Sequence, residues 1–187
     1  DLDGVRLTSA GDGEDIALCK AEAKALGVAE RVTFLGRIPR EEVNDLYRRA
    51  DIFCFPSFRE PMGGVFFEAM EHALPVIAAD RGGPAFIIDE TSGITVPVET
   101  PDQFAKAIAQ AIRDLAMDPA RRRCLGKGAQ ARLESFGQWS DKAQELVELY
   151  RQTINTDDKH RRKVEFSPNI AGTTDMSTLQ ISKEDRQ

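Results

Sequence analysis

A doubly wound α/β fold is predicted by this sequence, on three observations. Short β-branched or aromatic runs alternate with segments of helical period from Val5 to Val96, and helices follow. Every connection between successive strands is too long for a hairpin. The run Asp51 to Phe55, "DIFCF", is almost continuously apolar, as expected of a strand buried on both faces of a parallel sheet. Strands joined by crossover helices, with helices on both faces of the sheet, follow from these.

The elements are read in order. Val5 to Ala10 is a strand, broken by "GDG". Glu14 to Leu26 carries Ile16, Cys19, Ala23 and Leu26 at helical spacing, and Gly27 is a stop signal. Arg31 to Leu35 is a second strand, ended by Gly36. Pro39 opens a helix with Val43, Leu46, Tyr47 and Ala50 on one face. The third strand, Asp51 to Phe55, ends at Pro56, and a helix follows from about Gly63 to Ala73. Pro75 to Ala79 is the fourth strand, followed by "DRGGP" and a short helix; Gly93 to Val96 is the fifth. Three helices close the periodic part: Asp102 to Ala116, an arginine-rich one from Pro119, and an amphipathic one over "WSDKAQELVELYRQ". From about Asn155 the period disappears, and the polar segment to Gln187 is expected to be a mobile tail. Its basic patch, His160 to Lys163, is expected to be solvated rather than a binding site. The expected division is therefore residues 1–118 as the sheet domain, 119–154 as helices packed on it, and 155–187 as the tail.

Composition narrows the function. A net charge of −6 argues against nucleic acid as a partner, which needs a basic face. No run approaches the roughly 18 to 20 apolar residues that would cross a bilayer. Cys19, Cys54 and Cys124 are far apart and lack metal spacing, so neither a disulfide framework nor a zinc site is expected, and the cytoplasm is the default location. The chain opens on Asp1-Leu2-Asp3 without a methionine, as expected of a piece of a longer protein.

The stretch "REPMGGVFFEAM", Arg59 to Met70, places one glutamate before a Pro-Met-Gly-Gly turn and a second, Glu68, inside an apolar run. The turn follows the third strand, and ligands of open α/β sheets bind beyond the carboxyl ends of the strands. Gly63 and Gly64 mark a helix start, whose unpaired amides and dipole favour an anion, most naturally phosphate. Glu68 needs donors to offset its apolar surroundings, and two adjacent ribose hydroxyls would supply them. Glu60, beside the anion site, would recognise sugar hydroxyls or stabilise positive charge developing at an anomeric carbon. Two glutamates eight apart are weak by themselves: Glu60 reads equally as a solvated loop residue, and Glu68 as the polar face of an amphipathic helix.

Taken whole, "FCFPSFREPMGGVFFEAMEHALPVIAADRGGP" resembles the C-terminal Rossmann-like domain of retaining GT-B glycosyltransferases, family 4 (group 1). The pair of glutamates with seven residues between them, the Met-Gly step, "EAM", the "PV" strand and the Gly-Gly loop stand in the family's order. "VTFLGRIPREEVNDLYRRADIF" and "TSGITVPVETPDQFAKAIAQAI" match the flanking segments.

The resemblance implies a parallel sheet lacking its first strand and helix, the C-terminal half of a GT-B fold. It implies that Glu68 holds the ribose of a UDP-sugar or GDP-sugar, and that Glu60 contacts the donor sugar near the reacting carbon. The backbone amides of Met62, Gly63, Gly64 and Val65 would meet the donor sugar and its β-phosphate, and the turn Gly36, Arg37, Ile38 would lie against the base. Transfer would retain anomeric configuration, with neither metal nor cofactor. The acceptor, whether sugar, lipid-linked or a small molecule, would be chosen by an N-terminal Rossmann domain, in polysaccharide or glycoconjugate synthesis in the cytoplasm or at the inner face of a membrane. Asp1-Leu2-Asp3 is similar to the metal-binding Asp-x-Asp of the other glycosyltransferase fold, but is not expected to bind metal here.

Departures from the family pattern are specific. Its Gly-Arg strand end and downstream lysine have no counterpart, Phe86 stands where a glutamate is often found, and Gly64 replaces a usual leucine. The fragment alone is therefore expected to be inactive. Rival expectations are a non-catalytic nucleotide-sugar-binding module, a decayed fragment, or another enzyme of this architecture such as an epimerase or phosphorylase.

Overall fold

The computed structural model describes residues 4–137 and 139–156. Five parallel strands are present: β1 (Leu7–Ser9), β2 (Val32–Phe34), β3 (Phe53–Phe55), β4 (Val76–Ala79) and β5 (Gly93–Val96). The helices are α1 (Ile16–Ala25), α2 (Arg40–Arg49), α3 (Gly64–Glu71), α4 (Gly83–Ile87), α5 (Pro101–Met117), α6 (Pro119–Ser135) and α7 (Trp139–Thr156), with a 3₁₀ turn at Ala29–Arg31. Each expected element occurs, and the strands are mostly shorter than their apolar runs because the outer residues lie beyond the hydrogen-bonded ladders.

The strands form two ladders rather than one. β1 pairs with β2, Leu7 opposite Val32, while β3, β4 and β5 pair in that order, Phe53 opposite Val76 and Val76 opposite Gly93. This fits the doubly wound order 3-2-1-4-5-6 if β2, β1, β3, β4 and β5 take positions 3, 2, 4, 5 and 6. Position 1, between β1 and β3, is taken by no strand among the described residues.

Alternation along the strands separates two apolar layers. Phe53 and Phe55 of β3 face the side where Val76 and Ala78 of β4 meet Phe66 and Met70 of α3 and Ala129 of α6. Cys54 faces the other side, where Ile77 and Val96 meet Ala111 and Leu115 of α5 and Leu125 of α6. Phe66, Met70, Ile77 and Leu115 are fully buried, each contributing about 1.5–3 kcal/mol over an exposed side chain. Burial pushes the Cys54 thiol up to about 11, so it packs as a small apolar group.

Local sequence sets the helix ends. Thr100 accepts from the amide of Gln103 before Pro101 of α5, and Asp118 accepts from that of Arg121 before Pro119 of α6. Each such cap contributes about 1 kcal/mol. At the end of α3, Leu74 donates to the Ala69 carbonyl and Ala73 to that of Met70, a Schellman pair. Its left-handed position holds Ala73, φ 54°. α6 lies against this end: a Cβ on Gly126 would come 2.1 Å from the Ala73 carbonyl oxygen, and one on Gly128 1.9 Å from that of Thr91.

Two arginines of the arginine-rich helix α6 are partnered rather than solvated. Arg122 donates to the carbonyls of Leu115 and Ala116 at the end of α5. Arg132 donates to those of Phe86 and Ile87 at the end of α4 and pairs with Asp89 at 3.3 Å. Basic groups at helix carboxyl ends satisfy orphan carbonyls and the dipole together.

The chain divides into two units after Trp139. α6 lies in the first. In the second, Ala143, Leu146, Val147 and Tyr150 of α7 recur at helical spacing. The expected tail, apart from its first two residues, lies outside the described residues, as do the basic patch His160 to Lys163 and Asp1-Leu2-Asp3.

Candidate active site

The turn after β3 is shaped by Gly63 and Glu60. Gly63 is buried and left-handed (φ 63°), and a Cβ there would come 2.4 Å from the Phe66 ring. Its amide donates to Glu60 Oε1 at 2.8 Å. Glu60, half-buried, therefore holds the turn that leads into α3. The Gly63 amide, assigned by resemblance to the donor, is held by Glu60 in this structure. Gly64 and Val65 lead the helix with amides that have no acceptor among the described residues, and Met62 and Gly64 are exposed. That leaves partial positive charge open to an anion at this end.

The Gly-Gly loop after β4 locks onto the same turn. Gly83 donates to the Glu60 carbonyl at 3.0 Å. A Cβ on Gly82 would lie 2.9 Å from that carbonyl oxygen, and one on Gly83 2.4 Å from that of Pro61. The glycines allow backbone to meet backbone and so fix the Glu60 turn. Phe86, one turn further, is 72% exposed. Arg59 lies over the Phe58 ring at 5.7 Å.

Glu68 has protein donors that its apolar neighbours do not reveal. Arg40 Nη2 reaches Oε1 at 3.3 Å, and the Tyr47 hydroxyl donates to Oε2 at 3.3 Å. Both come from α2, seven residues apart and so on one face. The ion pair is exposed, Arg40 81% and Glu68 33%, and is worth at most about 1 kcal/mol. Tyr47 is buried, edge-on to Phe53 at 5.7 Å and stacked on His72 at 5.5 Å. His72 is half-buried against that ring. Burial, with the charge and hydrogen bond of Glu68, pushes the Tyr47 hydroxyl up to about 12.

The turn Gly36, Arg37, Ile38 lies at the carboxyl ends of β1 and β2. Gly36 has φ 68°, and its carbonyl accepts from Gly11 at 2.8 Å, tying the two strand-end loops together. Beside it an open cleft of about 380 Å³ is lined by Asp12, Gly13, Glu14 and Arg37. Asp12 and Glu14 were not singled out in the sequence, because they become neighbours of Arg37 only through the β1–β2 pairing. Since α2 starts at Arg40, this turn and Glu68 are joined through one helix. Glu60 and the Gly-Gly loop form a second constellation, linked to Glu68 by the first turn of α3.

Among the described residues, no group of three or more His, Cys, Asp or Glu side chains could hold a metal ion. No described helix is long and apolar enough to cross a membrane.

The parallel α/β ladders and their crossover helices have the architecture of a C-terminal-type domain of GT-B glycosyltransferases, on the structural likeness that follows. The chain superposes on sucrose-phosphate synthase from Thermosynechococcus elongatus with a TM-score of 0.66 and 33% identity, over 80% of this chain and 38% of that one. It also shares its fold with Anabaena HepE in complex with UDP and glucose, at a TM-score of 0.68 and 24% identity, over 79% of this chain and 41% of that one. The chain belongs to the family described as glycosyl transferases group 1, whose sequence profile matches residues 1–114. It is 36% identical over 148 residues to a D-inositol 3-phosphate glycosyltransferase of Kribbella flavida, covering 78% of this chain and 34% of the relative. A counterpart from Corynebacterium kroppenstedtii is 37% identical over 133 residues, covering 71% and 28%. The chain thus spans about a third of the length of these curated relatives.

Proposed function

We propose that the protein represented by this chain transfers a hexosyl group from a nucleotide-diphosphate sugar to an acceptor, with retention of anomeric configuration, and that this chain supplies the donor site. The observation that carries the reading is the amino end of α3: Glu60 and Glu68 flank a helix start whose Gly64 and Val65 amides are open. The diphosphate takes those amides and that of Met62, and the Gly63 amide when Glu60 turns to the sugar. Glu68 accepts from the ribose hydroxyls. Glu60 accepts from a donor-sugar hydroxyl and stabilises the oxocarbenium-like transition state as the bond from the anomeric carbon to the β-phosphate breaks. Gly36, Arg37 and Ile38 lie against the base. The glycosyltransferase names of the relatives and the UDP in the HepE structure support this assignment. They make a UDP-sugar the first donor to try, with a GDP-sugar second. The site works without metal, and an N-terminal Rossmann domain selects the acceptor in polysaccharide or glycoconjugate synthesis. The isolated chain binds donor weakly and does not turn it over.

A second reading, a nucleotide-sugar-binding module without chemistry, is favoured by Phe86, an exposed apolar side chain where the family often carries a glutamate.

Titration of the chain with UDP, GDP and their glucose or mannose conjugates tests both. Millimolar binding that falls at least tenfold in Glu68→Ala is expected, since a hydrogen bond to a charged group is worth about 1.5–3 kcal/mol. Absence of binding, or binding indifferent to Glu68→Ala, would remove the donor-site assignment. Hexosyl transfer by the full-length protein, lost in Glu60→Gln, separates the enzyme from the binding module.

A further inference from the structure

Glu68 is held on both oxygens before any ligand arrives, and the two holders differ in kind. Arg40 is a long, 81% exposed side chain. Tyr47 is a buried ring fixed between Phe53 and His72, with its hydroxyl on Glu68 Oε2. We propose that Tyr47 is a positioning residue of the nucleotide site, fixing the Glu68 carboxylate so that it can accept from both hydroxyls of a ribose and thereby favour ribonucleotides over 2′-deoxyribonucleotides. The inference rests on the donor-site reading given above.

The argument is one of lone pairs and freedom. An ionised carboxylate has about four acceptor positions. Arg40 takes one on Oε1 and Tyr47 one on Oε2, which leaves one on each oxygen. Two acceptor positions on adjacent oxygens match the two donors of a vicinal diol. A free glutamate side chain would lose rotamer freedom on meeting that diol; one already oriented loses less, so preorganisation favours binding. The Tyr47 hydroxyl stays protonated, and so a donor, up to about pH 12. Its ring cannot follow a moving carboxylate because Phe53 and His72 hold it on two sides. The Arg40 stem has no such support, so Tyr47 sets the geometry and Arg40 mainly the charge. Helix α2 also begins directly after Gly36, Arg37 and Ile38, so the same element places the base turn and the ribose acceptor relative to each other.

The test compares UDP with 2′-deoxy-UDP, and GDP with 2′-deoxy-GDP, on the whole 187-residue chain. NMR titration gives the affinities, and urea unfolding monitors the fold. The unsubstituted chain is expected to prefer the ribonucleotide about tenfold, and Glu68→Ala to remove that preference. Tyr47→Phe keeps the ring and is expected to weaken the ribonucleotide three- to tenfold and the deoxy form less, with cooperative unfolding retained. If Tyr47→Phe leaves the preference intact while Glu68→Ala removes it, the positioning role is overturned and the ribose assignment stands. If Glu68→Ala leaves the preference intact, or no nucleotide binds, the donor-site reading fails and this inference with it. Should Tyr47→Phe not fold, 3-fluorotyrosine at position 47 replaces it. Its ¹⁹F signal is expected to shift more with the ribonucleotide than with the deoxy form, and equal shifts overturn the role.

Discussion

The amide of Gly83 donates to the carbonyl of Glu60 at 3.0 Å, across two loops that follow different strands. The contact leaves no room for a methyl group, since a Cβ on Gly83 would lie 2.4 Å from the Pro61 carbonyl oxygen. Gly83→Ala is therefore expected to displace the Glu60 turn at a cost of about 1–3 kcal/mol. Urea unfolding measures the loss, and the Gly63 amide shift reports whether its bond to Glu60 survives. Unchanged stability would show that the turn yields freely.

Glu60 has a structural duty separable from its proposed chemistry. Glu60→Ala removes the acceptor of the Gly63 amide and is expected to cost about 1 kcal/mol, the net worth of a hydrogen bond. Glu60→Gln keeps a carbonyl oxygen at that place and should lose less. In the full-length protein, Gln is nevertheless expected to slow transfer as strongly as Ala, because a neutral amide cannot stabilise positive charge at the anomeric carbon. A Gln variant with ordinary turnover would restrict Glu60 to holding the turn.

Ala73 occupies the left-handed position after α3 that glycine usually fills. An L-residue there costs roughly 1–2 kcal/mol, partly offset because glycine raises the entropy of the unfolded chain. Ala73→Gly is expected to stabilise the domain by up to about 1 kcal/mol, seen as a higher urea midpoint at unchanged slope. A lower midpoint would mean that the Ala73 methyl group contributes packing that outweighs the strain.

Acid stability is expected to depend on Asp89. Partial burial pushes its pKa up, but hydrogen bonds from Thr91 and Ser92 and the charge of Arg132 outweigh this and hold it below its ordinary 3.8. A carboxylate with a lowered folded pKa contributes stability above its unfolded pKa and loses it as pH falls through the folded one. The contribution should be complete at neutral pH and vanish progressively below about pH 4. Asp89→Asn should flatten that part of the stability–pH curve, and a curve parallel to that of the unsubstituted protein would exclude the effect.

What the sequence revealed depended on range. β3 and β4 were legible because burial on both faces leaves an unbroken apolar run, α5 because Phe104, Ile108, Ile112 and Leu115 recur at helical spacing, and α6 because Pro119 announces its start. Glu60, Glu68 and the Gly-Gly loop were legible as a frame of local spacings. The partners were not. Tyr47 meets Glu68 across 21 positions, and Arg132 meets Phe86 across 46, and no local pattern marks such pairs. The reason for Gly126 and Gly128 shows only where α6 lies against Ala73 and Thr91. The break between the ladders was half legible, as a sheet lacking one strand, but sequence period is silent on which strands fail to pair.

No backbone hydrogen bond among the described residues joins β1 and β2 to β3, β4 and β5. An apolar cleft of about 260 Å³ lies where α5 meets the smaller ladder, between Leu7 and Val32 on one side and Ala109 and Ile112 on the other. Amides of the smaller ladder therefore have a route to deuterium exchange that leaves the three-stranded core closed, and two protection classes follow from the topology. If the smaller ladder opens and recloses while the Glu60 turn stays folded, the proposed donor site would lose its hold on the base at Gly36, Arg37 and Ile38 before its sugar end is disturbed.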